Sequence, residues 1–492
     1  MPLGLIEKLR HHARQTPDRI AIRQIIPGNR LSVSWRDLGA LVNVLAGAFS
    51  DALPPGAILM LCSANRAEFT AAYLAALAAN MTIFPIAPDI AEPELNSAAR
   101  RCGAAAMLAI GQPALPVGMS WSKRSVLSPC AADAALFTVP TWPVNRADGA
   151  ALLLLSSGTT GRPKIVRREG ASLDAVSANM VNAIQFTPDD HVLAAVPLCH
   201  SYGMEHGLLC PIWAGSCAHM YERFDLPAAM GELTGNAVTI FPGVPFMFET
   251  LCGAGRRPAR PFSLRRAYSA GGPLPRTLFE AFADQFGIVI SQLYGASEIG
   301  SVTFNDPQIN PFDPASVGRP MDGVAVRILN MQSPEDIDQT LPIGAEGHVA
   351  IAAPSMLSGY LDGEPPPLVG GYFPTGDLGR LDASGALTIT GRIKLLIDVA
   401  GRKVNPLEVE EVICDHESVG ECVVLAAAVS PTLNRLKAII TPATPGTTPD
   451  AGALRDFCKS RLSAYKVPRL FEVRESLPRS PAGKILRQSL GS

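Results

Sequence analysis

The stretch that decides the fold spans residues 152–164 and reads Leu-Leu-Leu-Leu-Ser-Ser-Gly-Thr-Thr-Gly-Arg-Pro-Lys. Its first four residues are typical of a short buried strand. The next nine residues hold two glycines, four hydroxyl side chains and a lysine. Glycines expose backbone N–H groups, hydroxyls add donors and lysine adds a positive charge, a combination that binds a polyphosphate. We therefore predict a phosphate-binding loop made by Ser156, Ser157, Gly158, Thr159, Thr160, Gly161 and Lys164.

The spacing within this loop differs from that of two common phosphate-binding loops. Pro163 precedes Lys164 and no serine or threonine follows it, so the loop is not a Walker A loop. It does not match the Rossmann dinucleotide fingerprint either. An ordinary glycine turn with solvated hydroxyls is the alternative, but the density of donors after a buried strand favours phosphate binding.

Strand-like and helix-like segments alternate before the loop, which predicts α/β layers over a largely parallel sheet. The predicted strands are 20–26, 57–62 and 81–86, and the predicted helices are 35–52, 67–79 and 92–102. We interpret residues 117–148 as a connecting stretch and 150–308 as a second α/β run. Short alternating segments between glycine and proline turns in residues 311–390 predict a small β-barrel or sandwich. A helix is predicted at 406–413.

Composition limits the class of protein. A chain of 492 residues, 47% hydrophobic and 17% charged, predicts several globular domains. The net charge of −2 gives no general case for nucleic acid binding. Ten scattered cysteines without a CxxC pair favour reduced thiols over a disulfide framework or a metal site. The polar N-terminus and the lack of a long apolar stretch predict a cytoplasmic protein without a membrane span.

Six further motifs accompany the loop, and together they resemble the adenylate-forming superfamily of acyl- and aryl-CoA ligases, peptide-synthetase adenylation domains and luciferases. The loop resembles that family's SSGTTGxPK signature. The other motifs, in chain order, are PLCHSYG at 197–203, SAGGPL at 269–274, YGASE at 294–298, YFPTGD at 372–377, GRIK at 391–394 and PRSPAGK at 478–484. The resemblance implies a large N-terminal domain at 1–390, with two α/β subdomains and a small β-barrel. It also implies a hinge at 391–395 and a small mobile α+β domain at 396–492.

The activity that the resemblance implies is that of an ATP-dependent carboxylate–thiol ligase. The carboxylate displaces pyrophosphate from ATP, and the acyl-AMP then passes its acyl group to the thiol of CoA. The alternatives are transfer to the phosphopantetheine thiol of a separate acyl carrier protein, a stand-alone adenylating enzyme, and a non-catalytic nucleotide-binding protein. The acid is expected to be a fatty, aryl or other simple carboxylate, because no aspartate follows the 197–203 motif to bind a substrate ammonium group.

Four residues match the family's catalytic positions. Lys484 would place its charge between the carboxylate and the α-phosphate, and Ser297 would direct its hydroxyl at the α-phosphate. His200 lies in the motif beside the acyl pocket, although a buried structural histidine is the alternative. Lys394 lies at the hinge, where backbone rotation would move the C-terminal domain between the two half-reactions.

The resemblance also assigns the cofactor-binding positions. Glu298 would bind Mg²⁺, a cation that prefers oxygen ligands. The backbone at Gly271 and Gly272 would approach adenine. In the 294–298 motif, which includes Gly295, the ring of Tyr294 would stack on adenine or is simply buried. Asp377 and Arg392 would bind ribose, and Gly401 would let pantetheine pass.

Two features concern the acceptor thiol. Asp398 stands where many relatives carry lysine, so it is expected to affect thiol use or to repel an anionic acceptor. We expect no carrier domain after Lys484, so a carrier protein would be expected to act in trans. Residues 392–492 carry a charge of +4 and the rest of the chain −6, a division that would favour domain closure or an acidic carrier protein.

Overall fold

The computed structural model describes most of the chain. The described residues are 3–26, 29–111, 122–124, 134–138, 149–156, 164–235, 237–255, 263–272, 274, 276–309, 312–331, 333, 335–361, 363–393, 397–404, 406–430, 433–444, 446–478 and 487–490.

The α-helices of the described residues are α1 Gly4–Gln15, α2 Trp35–Ala52, α3 Ala67–Ala78, α4 Glu92–Cys102, α5 Gly170–Ile184, α6 Ser201–Met204, α7 Cys210–Ala214, α8 Leu226–Thr234, α9 Pro245–Gly253, α10 Arg276–Phe286, α11 Pro406–Cys414 and α12 Ala451–Lys459. A π-helical turn, Glu205–Leu209, connects α6 to α7. Two 3₁₀ turns follow α12, at Ala464–Lys466 and Arg487–Leu490. No helix in this part of the chain is long and apolar enough to cross a membrane.

The strands are β1 Ile20–Ile26, β2 Asn29–Ser34, β3 Ile58–Cys62, β4 Thr82–Ile86, β5 Ala106–Ile110, β6 Ser122–Arg124, β7 Ala134–Thr138, β8 Ala150–Leu155, β9 Ile165–Glu169, β10 His191–Ala194, β11 Cys217–Tyr221, β12 Ile240–Gly243, β13 Arg266–Ser269, β14 Ile290–Ala296, β15 Gly300–Phe304, β16 Arg319–Pro320, β17 Ala325–Leu329, β18 Gly347–Ala352, β19 Gly359–Tyr360, β20 Phe373–Leu381, β21 Leu387–Arg392, β22 Ile397–Val399, β23 Arg402–Val404, β24 Val419–Ser430, β25 Leu433–Pro442 and β26 Leu470–Val473.

Two large sheets form the N-terminal part. A nine-stranded sheet has the order β16-β15-β14-β13-β12-β10-β11-β1-β2, and an eight-stranded sheet has the order β19-β9-β8-β4-β3-β5-β7-β6. The central pairs of each sheet are parallel, as the alternation of strands and helices predicts. One hydrophobic core runs between the sheets and includes α2 and α3.

Local sequence explains where α2 begins and why α3 lies in the core. Ser34 caps α2: its hydroxyl accepts from the backbone N–H of Asp37 at 3.1 Å, and the Asp37 carboxylate accepts from the backbone N–H of Ser34. Helix α3 is apolar on all sides, and ten of its twelve residues are buried. Such a helix lies inside the core instead of on the surface.

The predicted connecting stretch and the predicted barrel differ in detail from the structure. Strands β6 and β7 lie within residues 117–148 and extend the eight-stranded sheet at its edge. Strand β7 pairs with β5, a contact between separate segments that local sequence does not reveal, and β6 pairs with β7. Within residues 311–390, β16 and β19 join the edges of the two large sheets, and the other strands belong to a four-stranded antiparallel sheet in the order β17-β18-β20-β21.

The C-terminal part has a core of its own. Strands β24, β25 and β26 form a three-stranded sheet, and α11 and α12 pack in the same hydrophobic cluster. The hairpin of β22 and β23 precedes them, and its turn lies next to the N-terminal part, since a Cβ atom at Gly401 would lie 3.2 Å from Val244 Cγ1.

Gly203 offers a test of how α6 is positioned. A Cβ atom at Gly203 would lie 2.2 Å from the backbone oxygen of Pro197, whereas a Cβ at Gly47, in α2, would meet nothing within 4 Å. We expect Gly203→Ala to destabilise the protein by about 3 kcal/mol through overpacking. Gly47→Ala should stabilise it by roughly 0.5–1 kcal/mol. Thermal unfolding of both variants gives the comparison, and equal effects would contradict the packing of α6 against residue 197.

Candidate active site

A large cavity lies between the N-terminal and C-terminal parts. Its volume is about 1490 Å³. It opens at the carboxyl ends of parallel strands in both large sheets, which is where α/β proteins bind ligands. The elements that line it are the end of β8, the segment before α6, the loops after β13 and β14, strand β20, and the residues around Gly401, Arg402 and Lys466.

The ends of the predicted phosphate loop meet at this cavity. Ser156 follows β8, and its backbone N–H donates to the carbonyl oxygen of Lys164 at 2.8 Å, which closes the loop at its base. The hydroxyl of Ser156 is buried and has no hydrogen-bond partner within the part of the chain that the structure describes, so a donor is left for a ligand. Residues 157–163, which include Ser157, Gly158, Thr159, Thr160 and Gly161, lie outside the described residues.

Lys164 and Glu298 lie beside the same aromatic ring. The Lys164 ammonium is 4.6 Å from the centre of the Tyr360 ring and forms an ion pair of 2.6 Å with Glu364. Burial raises the pKa of Tyr360, and the carboxylates of Glu298 and Glu364 act in the same direction. The structure therefore brings the predicted phosphate-binding lysine and the predicted Mg²⁺ ligand to one wall of the cavity. Ser297 lines the same wall.

A second wall is lined by Gly271, Gly295 and Gly376, and other predicted nucleotide residues lie next to these in sequence. The Tyr294 hydroxyl donates to Asp377 Oδ2 at 2.6 Å, so the hydroxyl of this tyrosine positions the predicted ribose-binding carboxylate. Asp377 and Arg392 are register partners on β20 and β21. Gly271 lines the cavity with a φ of +84°, a conformation that favours glycine.

Gly295 has a packing role that the motif did not reveal. A Cβ atom there would lie 2.4 Å from the carbonyl oxygen of Gly300, across the β14–β15 turn. Gly295 also lines the cavity. Its missing side chain therefore permits the tight turn that carries Ser297 and Glu298.

His200 is half-buried at the cavity wall. It precedes α6, and its Nε2 atom has no hydrogen-bond partner among the described residues. Burial, with the nearby charge of Arg402, lowers the pKa of His200 to about 4. The imidazole is therefore neutral near pH 7 and leaves one polar atom for a ligand.

A buried ionic network lies directly below His200, and sequence reasoning missed it. Glu205 accepts from Arg168 Nη1 at 2.6 Å, from Ser201 Oγ at 2.8 Å, and from the hydroxyl and backbone N–H of Ser301 at 2.6 and 3.0 Å. Arg168 and Glu205 are almost fully buried. The i, i+4 spacing of Ser201 and Glu205 was the one local signal for it.

The network continues to a buried histidine. His206 Nε2 is 3.1 Å from Ser301 Oγ, and its Nδ1 is 2.9 Å from the hydroxyl of Tyr268. Glu205, Ser201 and Ser301 line the cavity. The floor of the cavity is therefore polar and fully hydrogen-bonded.

The C-terminal part closes the cavity through the β22–β23 turn. Gly401 has a φ of +82°, and its N–H donates to Asp398 Oδ1 at 2.8 Å. Asp398 thus holds the turn that the sequence analysis associated with thiol entry. A Cβ atom at Gly272 would lie 3.5 Å from Asp398 Oδ2. Lys394 and Lys484 lie outside the described residues, as does the side chain of Arg392.

Ion pairs connect the two parts around the cavity. Arg402 pairs with Asp89 at 2.9 Å. Glu94, on α4, accepts from the hydroxyl and backbone N–H of Ser463 and from Lys466 Nζ, the last at 3.3 Å. Lys466 also pairs with Glu408 at 2.7 Å.

Comparison with known proteins identifies the family. The family model of the AMP-binding enzyme matches residues 9–361, and that of the AMP-binding enzyme C-terminal domain matches residues 408–484. The chain belongs to the AMP-binding enzyme family. The adenylate-forming superfamily and its fold, predicted from the motifs, are confirmed.

Individual relatives of this family cover most of the chain. An oxalate–CoA ligase from Arabidopsis thaliana is 27% identical and covers 99% of this chain and 97% of its own length. A sulfoacetate–CoA ligase from Cupriavidus necator is 31% identical and covers 74% of this chain and 70% of its own length. A malonyl-CoA ligase, solved as a ternary product complex with methylmalonyl-CoA and AMP, is 25% identical with a TM-score of 0.80 and covers 97% of this chain and 100% of its own. The similarity to these AMP-binding relatives therefore extends over both parts of the chain.

Removing Glu205 tests the buried network. Glu205→Ala leaves the Arg168 charge buried and unpaired, which we expect to cost about 3–5 kcal/mol of stability. Burial tends to raise the pKa of Glu205, but Arg168 and Ser301 hold it below its ordinary value. The stabilisation is therefore present above the ordinary carboxyl range and is lost as the pH falls through the lower folded-state pKa.

The measurement is thermal unfolding of wild type and variant between pH 7 and pH 3. Glu280→Ala is the control, because Glu280 forms an exposed i, i+4 pair with Arg276 and should change stability little. An equally stable Glu205→Ala protein at pH 7 would contradict the assigned network.

Proposed function

We propose that this protein is an ATP-dependent ligase that joins a carboxylic acid to the thiol of CoA through an acyl-AMP intermediate. The observation that carries the proposal is the shared cavity. Its lining joins Ser156 and Lys164 at the base of the phosphate loop to Gly401 of the C-terminal part. The hydrogen-bonded pair of Tyr294 and Asp377 lies next in sequence to Gly295 and Gly376, which also line it. The CoA ligases among the relatives support the same reaction.

In the first half-reaction, a carboxylate oxygen attacks the α-phosphorus of ATP. The new P–O bond forms as the bond to the β-phosphate oxygen breaks, and pyrophosphate leaves. Two anions must approach each other, so positioning and charge neutralisation supply most of the catalysis. Lys164 and the Ser156 hydroxyl would hold the outer phosphates, and Asp377 would hold ribose.

Three further groups complete this step. Glu298 would hold Mg²⁺, which supplies positive charge next to the phosphates when bound. The Ser297 hydroxyl would donate to the α-phosphate. Lys484 and Lys394, as the C-terminal lysine and the hinge residue, would bring the mobile part into position.

In the second half-reaction, the thiolate of CoA attacks the acyl carbon, and AMP leaves. The position of the C-terminal part in the structure suits this step, because Gly401 of the β22–β23 turn lines the cavity. The neutral His200 would contribute a polar atom beside the acyl group. It would add no positive charge that could attract the thiolate away from the acyl carbon.

Carboxylate-dependent exchange of labelled pyrophosphate into ATP tests the first half-reaction. The panel should include oxalate, sulfoacetate, malonate, ferulate and a short fatty acid, with Mg²⁺ present. At least one acid should support exchange, and exchange with none of a broad panel would overturn adenylation. Adding CoA to a competent acid should yield a thioester and AMP, whereas thioester formation only with a holo carrier protein would replace CoA as the acceptor.

Lys484→Ala should lower pyrophosphate exchange by about 10²- to 10³-fold, because it removes the charge aimed at the reacting oxygens. Lys437→Ala is the matched control, since Lys437 also lies in the C-terminal part but forms an ion pair with Glu472. Normal exchange by the Lys484 variant would contradict the role assigned to that lysine.

Glu94→Ala tests whether the position of the C-terminal part against the N-terminal part serves the attack of the CoA thiolate on the acyl-AMP. The variant loses the contacts to Ser463 and Lys466, worth about 1.5 kcal/mol for charged hydrogen bonds. Thioester formation should slow roughly tenfold, while pyrophosphate exchange stays within about twofold. Single-turnover assays of each half-reaction measure this split, with Glu280→Ala as the control. Equal loss in both half-reactions would contradict the assignment.

A further inference from the structure

A cluster of three metal-type ligands lies away from the cavity. His191 begins β10, and Cys217 and His219 lie on β11, the neighbouring parallel strand. One ligand atom from each of the three residues lies within 4.8 Å of the others. None of these three residues lines the cavity described above.

The sheet register explains why these side chains meet. His191 and Cys217 are register partners, and Cys217 and His219 are two residues apart on one strand. Residues with this spacing point to the same face of a sheet. The three side chains therefore converge at the amino ends of β10 and β11, whereas the cavity lies beyond the carboxyl ends.

The ring nitrogens already face one another. His191 Nδ1 is 2.9 Å from His219 Nε2. Two nitrogens bound to one tetrahedral Zn²⁺ at ordinary bond lengths lie roughly 3.4 Å apart. A small rotation of the half-buried His191 ring therefore admits an ion, and its partial exposure provides the route of entry.

Both buried ligands are oriented by a second residue. His219 Nδ1 donates to Glu232 Oε2 at 2.7 Å, which leaves the Nε2 lone pair directed at the cluster. The backbone of Arg23 hydrogen-bonds the sulfur of Cys217. Carboxylates on the far nitrogen of a histidine are the usual outer partners of metal-bound imidazoles.

We propose that His191, Cys217 and His219 form a binding site for a borderline transition-metal ion of the Zn²⁺ type. Two imidazoles and a thiolate form a ligand set that suits such ions and does not suit Mg²⁺. Cys217 releases its thiol proton to solvent when the metal–sulfur bond forms. The Cys217 thiolate supplies a negative charge to the ion, while Glu232, which also pairs with Arg30 at 2.7 Å, orients His219. A structural role follows, because the ion would join β10 to β11 under helix α8, which carries Glu232.

Co²⁺ is a suitable probe, because its bond to a cysteine sulfur gives a charge-transfer band that magnesium-dependent chemistry does not produce. The full-length protein, reduced and freed of metal by a chelator, should bind one Co²⁺ per chain with this band. Zn²⁺ should displace Co²⁺ and raise the thermal midpoint. Absence of the band, with no Zn²⁺-dependent rise in the midpoint, would overturn the proposal and leave a hydrogen-bonded pair of histidines.

Variants locate the site. Cys217→Ser should lose the band, while Cys458→Ser, which alters another buried thiol, should keep it. Glu232→Gln should weaken Co²⁺ binding about 10- to 100-fold. If Cys217→Ser does not fold, His191→Ala, at a half-buried position, gives the same answer. A band that survives both the Cys217 and His191 changes would place the metal elsewhere and overturn the assignment. The metal site is independent of the ligase reaction. The Co²⁺ band tests the metal site and pyrophosphate exchange tests the ligase, so either proposal can fail without the other.

Discussion

The ion pair of Arg168 and Glu205 is the constraint on which the rest of the site depends. Arg168 lies on β9 of the eight-stranded sheet, and Ser301, which donates to Glu205, lies on β15 of the nine-stranded sheet. Glu205 itself begins the π-helical turn between them. One carboxylate thus connects both sheets below the cavity. Because a buried charge without its partner is very unfavourable, this connection also fixes the position of α6 and of His200 before it.

The walls of the cavity differ in how they are held. Tyr294 and Asp377 are joined within the N-terminal part, where sheet hydrogen bonds set the geometry. The Gly401 wall belongs to the C-terminal part and is held in place by exposed or partly exposed ion pairs such as that of Arg402 and Asp89. Interfaces of this kind are weaker than a packed core and allow parts of a chain to move relative to one another. A rigid wall that faces a wall held by weaker contacts fits the proposed reaction in two steps.

Local signals predicted the elements well. Helices at 35–52 and 92–102 are confirmed with their predicted ends, because caps and apolar periodicity act within a few residues. Helix α1 was not predicted, since its sequence is mostly polar and few of its residues are buried. Residues of several motifs, from Ser156 to Gly401, line one cavity, and their roles in binding stay predictions. The Glu205 network was not predictable in the same way, because Arg168 and Ser301 lie 37 and 96 residues from Glu205 along the chain.

The contacts of Lys466 show why the proposed movement of the C-terminal part would cost little free energy. It lies between Glu94 of the N-terminal part and Glu408 of its own part, and the contact with Glu408 is the shorter one. If the C-terminal part moves as proposed, the Lys466 ammonium keeps the Glu408 carboxylate as its counter-charge, while Glu94 is left at a surface that water can reach. The rate of this movement should rise with ionic strength, because salt screens the ion pairs of Lys466 with Glu94 and of Arg402 with Asp89, which must both break.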